Sequence, residues 1–300
     1  MRCTTLFAIV CLCAATQVFA QGQDSQPADR DLQVIATLLA GGFDNANQNY
    51  FDQRGKRDVK HRRIHLKIDA VPTVGEMPMF TASGYWDNDP DTSMGRYVFT
   101  LEPHYATSSV RMRVWSTGET SDASRDNDSA CSLFWRRDAE QFTATSDGPC
   151  AEPMFSSMVI SEKHLWVTMA NAEAGDYRLR RVRNFECYAD IPGVGGGRDE
   201  PYERYDGFRI HDQGGAVWFD TKDGRRLGIS LLLVDWPINN YEGIFTRDSF
   251  VIYVSEEDDD KTWEHGYAFT VPEADRVGIN LKWMLASCFM KSNKFATPYM

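Results

Sequence analysis

Near residue 60 the spacing of apolar positions along this chain changes period. Before it, Leu32, Ile35, Ala36 and Leu39 recur at helical intervals, Asp31 stands where a cap belongs, and Gly41-Gly42 ends the run. This spacing predicts a helix over 31–40. From Arg62 onward, Ile64, Leu66 and Ile68 alternate with His65, Lys67 and Asp69, the two-residue period of a half-buried strand. Further strand-like runs are Arg96 to Leu101, Val110 to Trp115, Cys131 to Trp135, Gln141 to Thr145, Met154 to Ile160, His164 to Ala170 and Tyr177 to Val182. Turn residues separate them closely. Many short antiparallel strands imply a sandwich or a barrel.

The Gly-rich stretch 193–200 interrupts this pattern and reads as a linker or long loop; no Lys-Ser/Thr follows to make it a phosphate loop. Beyond it, Gly215 to Thr221 and Arg225 to Val234 flank the hairpin signal Lys222-Asp223-Gly224, and Phe250 to Ser255, Tyr267 to Val271 and Val277 to Trp283 resume strand character. Glu256 to Asp260 reads as an exposed acidic turn without the ligand spacing of a calcium loop.

The first twenty residues change the setting. Arg2, an apolar run from Leu6 to Ala15, and Val18-Phe19-Ala20 form a secretory signal with cleavage near Ala20. Its apolar core is shorter than the roughly 20 residues of a membrane span. The expected organisation is a signal peptide at 1–20, a flexible N-terminus at 21–30, a barrel at 31–192, the Gly-rich connection at 193–200 and a β-rich extension at 201–300. The chain carries a net charge of −11, and −12 once Arg2 is removed. That acidity argues against nucleic acid or anionic lipid as partners.

Cleavage leaves Cys131, Cys150, Cys187 and Cys288 of the seven cysteines. In an oxidising compartment an even count permits disulfides. Cys131 with Cys150, at the two ends of a hairpin unit, is the preferred pair, and its loop contributes about 3 kcal/mol. Four buried free thiols is the alternative.

Common enzyme signatures are missing: the sequence holds no Gly-x-Ser-x-Gly, His-Glu-x-x-His or Cys-x-x-Cys. His61 and His65 share a strand face, but no third metal ligand can be placed from sequence, so they read as solvent-facing and no metal site is assigned. His211-Asp212 beside Gln213-Gly214-Gly215 is either a site or a turn held by Asp side-chain bonds. Arginine recurs at 111 and 113, and at 178, 180, 181 and 183. In a barrel one such row could line the interior, opposite Glu102, Asp176 or a ligand carboxylate. Aromatic residues, Tyr97 and Trp115 among them, are mostly core, but some could wall a pocket for a flat ligand.

Several blocks together resemble the CpcT/CpeT family of phycobiliprotein chromophore lyases, over about residues 32–190. Leu38 to Phe43 with Gln48 is similar to its opening pattern. Phe99-Thr100-Leu101-Glu102, Tyr105 and Val110 to Val114 resemble its block of an acidic residue, a Tyr and an Arg-x-Arg strand. Cys131, Phe134-Trp135, Phe142 and Cys150 resemble its Cys-hairpin-Cys block, and Tyr177 to Arg181 with Phe185 its last strand. The resemblance implies an all-β, antiparallel calycin-like (lipocalin-like) barrel, usually dimeric, that attaches a bilin to a Cys of an acceptor protein. No further cofactor is implied. Arg111 and Arg113 would hold the bilin propionates, with Glu102 and Tyr105 at the pyrrole rings or in proton transfer, and Tyr97 and Trp115 as aromatic walls. Two other readings stand beside the lyase: an exported, non-catalytic carrier of an apolar anion, and a structural or interaction protein with a filled barrel.

Overall fold

The computed structural model describes residues 26–55, 60–72, 77–117, 131–148, 155–169, 175–192, 201–240, 243–259 and 261–291. The expected signal peptide, Cys150 and the Gly-rich stretch lie outside these residues. The chain opens with helix α1 (Pro27–Leu39), short strand β1 (Gly41–Asp44) and helix α2 (Ala46–Arg54). Nine strands follow: β2 (Ile64–Val71), β3 (Met79–Trp86), β4 (Ser93–His104), β5 (Ser109–Thr117), β6 (Cys131–Asp138), β7 (Gln141–Ser146), β8 (Phe155–Ile160), β9 (His164–Met169) and β10 (Asp176–Arg181). They pair antiparallel in chain order, and β1 inserts between β2 and β10 to close a ten-stranded barrel. The expected all-β, calycin-like barrel is therefore present.

The sequence explains the closure. β1 packs against β10 so tightly that a Cβ on Gly41 would strike the Arg181 guanidinium, and one on Gly42 would strike Val182. Gly41 also holds φ at 144°, a backbone region that favours glycine. Asn45 then secures the turn into α2: its Oδ1 accepts the Ile64 amide at 2.7 Å and its Nδ2 donates to Arg62 O at 3.0 Å. Gln48 ties α2 to β10, donating to Asp176 O at 2.8 Å and accepting from Arg178 N at 3.0 Å.

Alternation sends Leu66, Ile68, Phe99, Leu101, Met112, Leu133, Trp135 and Phe142 inward, where they form one packed core joined by Ile35 and Leu39 of α1. The helix begins at Pro27 rather than at residue 31, so residues 27–30 are not a flexible terminus. Asp31 does not cap it; its carboxylate pairs with Arg137 at 2.6 Å instead. α2 was not expected, because its polar composition, with Asn47, Gln48, Asn49 and Asp52, offers no apolar stripe to read.

The barrel ends at Arg181 and not at residue 192. Strand β11 (Asn184–Pro192) belongs to the second unit, with β12 (Tyr202–His211), β13 (Gln213–Asp220), β14 (Arg226–Asn240), β15 (Gly243–Asp258), β16 (Lys261–Thr270), β17 (Arg276–Asn280) and β18 (Leu285–Phe289). These make two four-stranded sheets, ordered β12-β11-β18-β17 and β13-β14-β15-β16. Phe185, Ile210, Leu231, Phe250, Ile252 and Ala286 from both sheets share one core, as in a β-sandwich. Because β11 pairs with β12 from Pro192↔Tyr202 onward, the Gly-rich stretch connects neighbouring strands rather than domains. Glu256 and Glu257 extend β15 instead of forming a turn, and Glu256 pairs with Arg225 at 2.7 Å.

Cys187 and Cys288 are disulfide-bonded across 101 residues of chain. Constraining a loop of that length contributes about 4–5 kcal/mol in the chain-entropy estimate. Cys131 is also in a disulfide, and Cys150, its expected partner, lies outside the described residues.

Candidate functional site

Five polar or aromatic residues stand in register across five adjacent barrel strands. Tyr85 (β3) lies opposite His65 (β2), His65 opposite Asp44 (β1), Asp44 opposite Arg180 (β10), and Arg180 opposite His164 (β9). Their sequence neighbours Ile64, Leu66, Phe43, Leu179 and Leu165 are buried in the barrel core, so this row points out of the barrel. Yet Asp44 is only 1% exposed. The sandwich covers the row. His211 at the end of β12, Gln213 and Gly214 entering β13, Asp235 on β14 and Asp248 on β15 come down onto it.

At one end, Asp44 gathers four donors: the Ala46 amide at 2.7 Å, Arg63 Nε at 3.2 Å and Nη2 at 3.3 Å, and His65 Nδ1 at 2.7 Å. Arg63 Nη2 also donates to Gln213 O at 2.6 Å and Gly214 O at 3.1 Å, bolting the two units together. The His65 ring stacks on Tyr85 at 4.3 Å, and its Nε2 faces Asn88 Oδ1 at 3.3 Å. Burial pushes the Asp44 carboxyl up, but the hydrogen bond from His65 and the charge of Arg63 outweigh it, and the pKa ends below its ordinary value. Burial pushes the His211 imidazole down, against the pull of Asp44.

Asp44, His65 and His211 hold donor atoms within 4.8 Å of one another, a two-His, one-carboxylate set by composition. The bonding favours protons over a metal. Arg63 already supplies the cation on Asp44. The Gln213 amide donates to His211 Nδ1 at 3.2 Å, which leaves the ring proton on Nε2.

At the other end, Arg180 Nη2 donates to Asp235 Oδ2 at 2.6 Å, and Asn47 Nδ2 to the same oxygen at 2.7 Å. Asp235 lies directly opposite Asp248 on the β14–β15 ladder. Its second oxygen is buried and meets no donor among the described residues, and the Asp235 and Asp248 carboxyls share a side-chain hydrogen bond. Accordingly the Asp248 carboxyl is pushed up to about 6 by its hydrogen bond to Asp235 and by desolvation. Desolvation raises Asp235 as well, but the bonds from Asp248 and Arg180 bring it below the ordinary range. Burial and the Arg180 charge push the His164 imidazole down.

Two clefts bordered by Arg180 open beside this end. The larger of these two, about 720 Å³, is bounded by Asn47, Gln48, Phe51, His61, Trp166, Arg178 and Asp235. Trp166 is 43% exposed and carries the Arg178 guanidinium 5.5 Å from its ring centre. His61 is fixed at its edge by the buried Asp52, Nδ1 to Oδ2 at 2.6 Å. The smaller, about 440 Å³, lies between the end of α1, the β8–β9 turn and the sandwich. Arg180 and His164 border both.

The residues singled out by sequence lie elsewhere. Val110, Met112 and Val114 fill the core, so Arg111 and Arg113 point outward, the reverse of the expected inward row. Glu102 does pair with both, with Arg113 at 3.5 Å, on a partly exposed outer face. Tyr105 is exposed and turns its hydroxyl to Asp29 of α1 at 2.9 Å. Tyr97 packs at the core margin 6.3 Å from Phe155, and Trp115 is half-buried on the outward row. None of these borders either cleft. His61 and His65 are largely covered rather than solvent-facing, at 12% and 11% side-chain exposure. His211-Asp212 both holds its turn, through Asp212 to Arg183 at 2.6 Å, and takes part in the site.

Among the described residues no helix is long and apolar enough to cross a membrane. Comparison of the chain with family models, curated proteins and solved structures finds no match.

Proposed function

We propose that this protein is an exported binding protein for a flat, anionic ligand of the bilin or tetrapyrrole class, taken up in the junction cleft outside the barrel. The observation that carries this reading is the contrast between a barrel interior filled by its own core and a 720 Å³ cleft that presents an exposed Trp166 under Arg178, with Arg180 behind. Ligand pockets fall in roughly this size range, and they combine aromatic walls with a few fixed charges. Trp166 offers a stacking face, and the arginines offer partners for propionates. The disulfide-bonded cysteines support the export expected from the first twenty residues.

The lyase is the second reading. Joining an acceptor thiol to a bilin double bond requires a base to take the thiol proton and an acid to protonate the ring-side carbon. The Asp235–Asp248 pair, one carboxylate and one carboxylic acid near pH 6, supports that reading.

Titration of the full chain with biliverdin, followed by absorption and Trp fluorescence, tests the binding claim. Saturable binding that weakens about tenfold or more in Trp166→Ala is expected, since stacking and charge contacts of this kind contribute one to a few kcal/mol. Wild-type protein that leaves the biliverdin spectrum unchanged would defeat it. A chromophore that stays on an acceptor protein through denaturation would establish the lyase.

A further inference from the structure

A sheet can accept more chain only at its edges, and the sandwich leaves one edge open and apolar. β16 is the last strand of its sheet and pairs with β15 alone among the described residues. Along a strand the N–H and C=O groups turn to its two sides, so a share of those on β16 face away from β15. Ala268 and Thr270 stand opposite the core residues Ile252 and Phe250, yet both are still partly exposed, as they are where an edge opens to solvent.

The outer face of the same strand is apolar. Tyr267 stands opposite Tyr253, and Phe269 opposite Val251. Ile252 and Val254, which alternate with these two β15 residues, lie in the sandwich core. Tyr267, Phe269 and, just past the strand, Val271 therefore point outward, and they are 53%, 60% and 59% exposed. Soluble proteins blunt such edges with charge or proline. Residues 266–271 contain neither; Glu264 and Pro272 stand just outside them.

Charge selects the partner. Exposed carboxylates bracket the apolar stretch: Asp258, Asp259 and Glu264 come before it, and Glu273 and Asp275 after it. β16 itself holds one Lys, Lys261, and no Arg. Burial, and after it the charge of Glu264, push the Tyr253 hydroxyl up to about 12, which sets that charge beside the aromatic row. We propose that the β16 edge is a docking site for an extended segment of another protein, apolar at alternate residues and flanked by Lys or Arg, which joins this four-stranded sheet as a further strand. Main-chain bonds to the edge supply affinity, and the outward row reads the alternate side chains. A second copy of this chain fits less well, because it brings the same acidic ends and a net charge of −11 to the seam.

The edge is separate from the tetrapyrrole cleft. Calorimetric titration of the full chain with the peptide acetyl-Lys-Val-Thr-Val-Thr-Val-Lys-amide tests it. Saturable binding is expected, and it should weaken as salt is added. Replacing the central Val of the peptide by Pro, which breaks strand pairing, and replacing both its Lys by Glu should each weaken binding about tenfold or more. Phe269→Lys changes an exposed position, puts a cation on the edge and should weaken binding about as much. Trp166→Ala should leave it within about twofold, because that residue belongs to the cleft. Folded wild-type protein that does not bind the peptide, binding unchanged by the Pro or by Phe269→Lys, or a Glu-ended peptide that binds as tightly as the Lys-ended one would each overturn the proposal. So would a dimer, seen by sedimentation velocity, that Phe269→Lys dissociates, since the edge would then belong to a second copy.

Discussion

Two polar rows run across the outside of this barrel, and they have had different fates. On β4 and β5, Glu102 pairs with Arg111 and Arg113, and all three side chains remain 25–34% exposed. On β3, β2, β1, β10 and β9, Tyr85, His65, Asp44, Arg180 and His164 obey the same alternation and point the same way relative to the core, yet Asp44 is sealed from water. The strands do not make the difference. Cover supplied from residues 211–248 does. Taking charges out of water makes every remaining contact matter more and leaves perturbed groups beside open clefts. An outward row on a barrel therefore becomes a candidate site when another unit closes over it.

Two expected effects are large and comparable in size, and the first breaks the covered row at its centre. Asp44→Ala leaves Arg63 and His65 without their shared partner and should cost about 3–5 kcal/mol of stability, the penalty for breaking a buried pair. Urea denaturation measures it. Reduction of the Cys187–Cys288 bond comes next: the cover should lose up to about 4–5 kcal/mol, with hydrogen exchange rising at Asp44 and His65 before it rises at Arg111.

A third test uses pH. Because the Asp248 carboxyl is raised to about 6 in the folded chain from 3.8, the folded state holds a proton that the unfolded chain gives up between these values. Stability from this group is present below about pH 4 and is lost as pH rises to about 6. Asp248→Asn should remove that slope, read as the urea midpoint at pH 4.5 and 6.5. Asp235, lowered instead, acts in the opposite sense: its contribution is present above its ordinary range and is lost as pH falls below it. The smallest effect belongs to the exposed row: Glu102→Ala should change stability by about 0–1 kcal/mol.

Much of the fold was legible in the sequence because alternation is a local signal. Every strand expected between Ile64 and Val182 is present, as is the hairpin at Lys222-Asp223-Gly224. The strand that closes the barrel was not legible, since Gly41 to Asp44 is too short to show a period. Nor was β11 recognised as part of the second unit, because nothing local distinguishes its alternation from that of β10. The direction of the Arg111 row was readable in principle: Val110, Met112 and Val114 are the apolar set, and a single strand cannot bury both faces in one core. The candidate site was legible only in pieces. Asp44 sat inside the Gly-Gly-Phe-Asp motif, Arg180 inside the arginine cluster and His211 inside the polar turn. Their meeting depends on contacts such as Arg63 with Gln213, 150 residues apart, and no local pattern encodes that.

The central claim is that ligand chemistry lies at the covered junction and not along the exposed arginine row. A side-by-side biliverdin titration of wild type, Trp166→Ala and Arg111→Met tests it most directly. The account predicts binding by wild type, a loss of about tenfold or more in Trp166→Ala, and binding within about twofold of wild type in Arg111→Met. Binding that survives Trp166→Ala and disappears in Arg111→Met would contradict it.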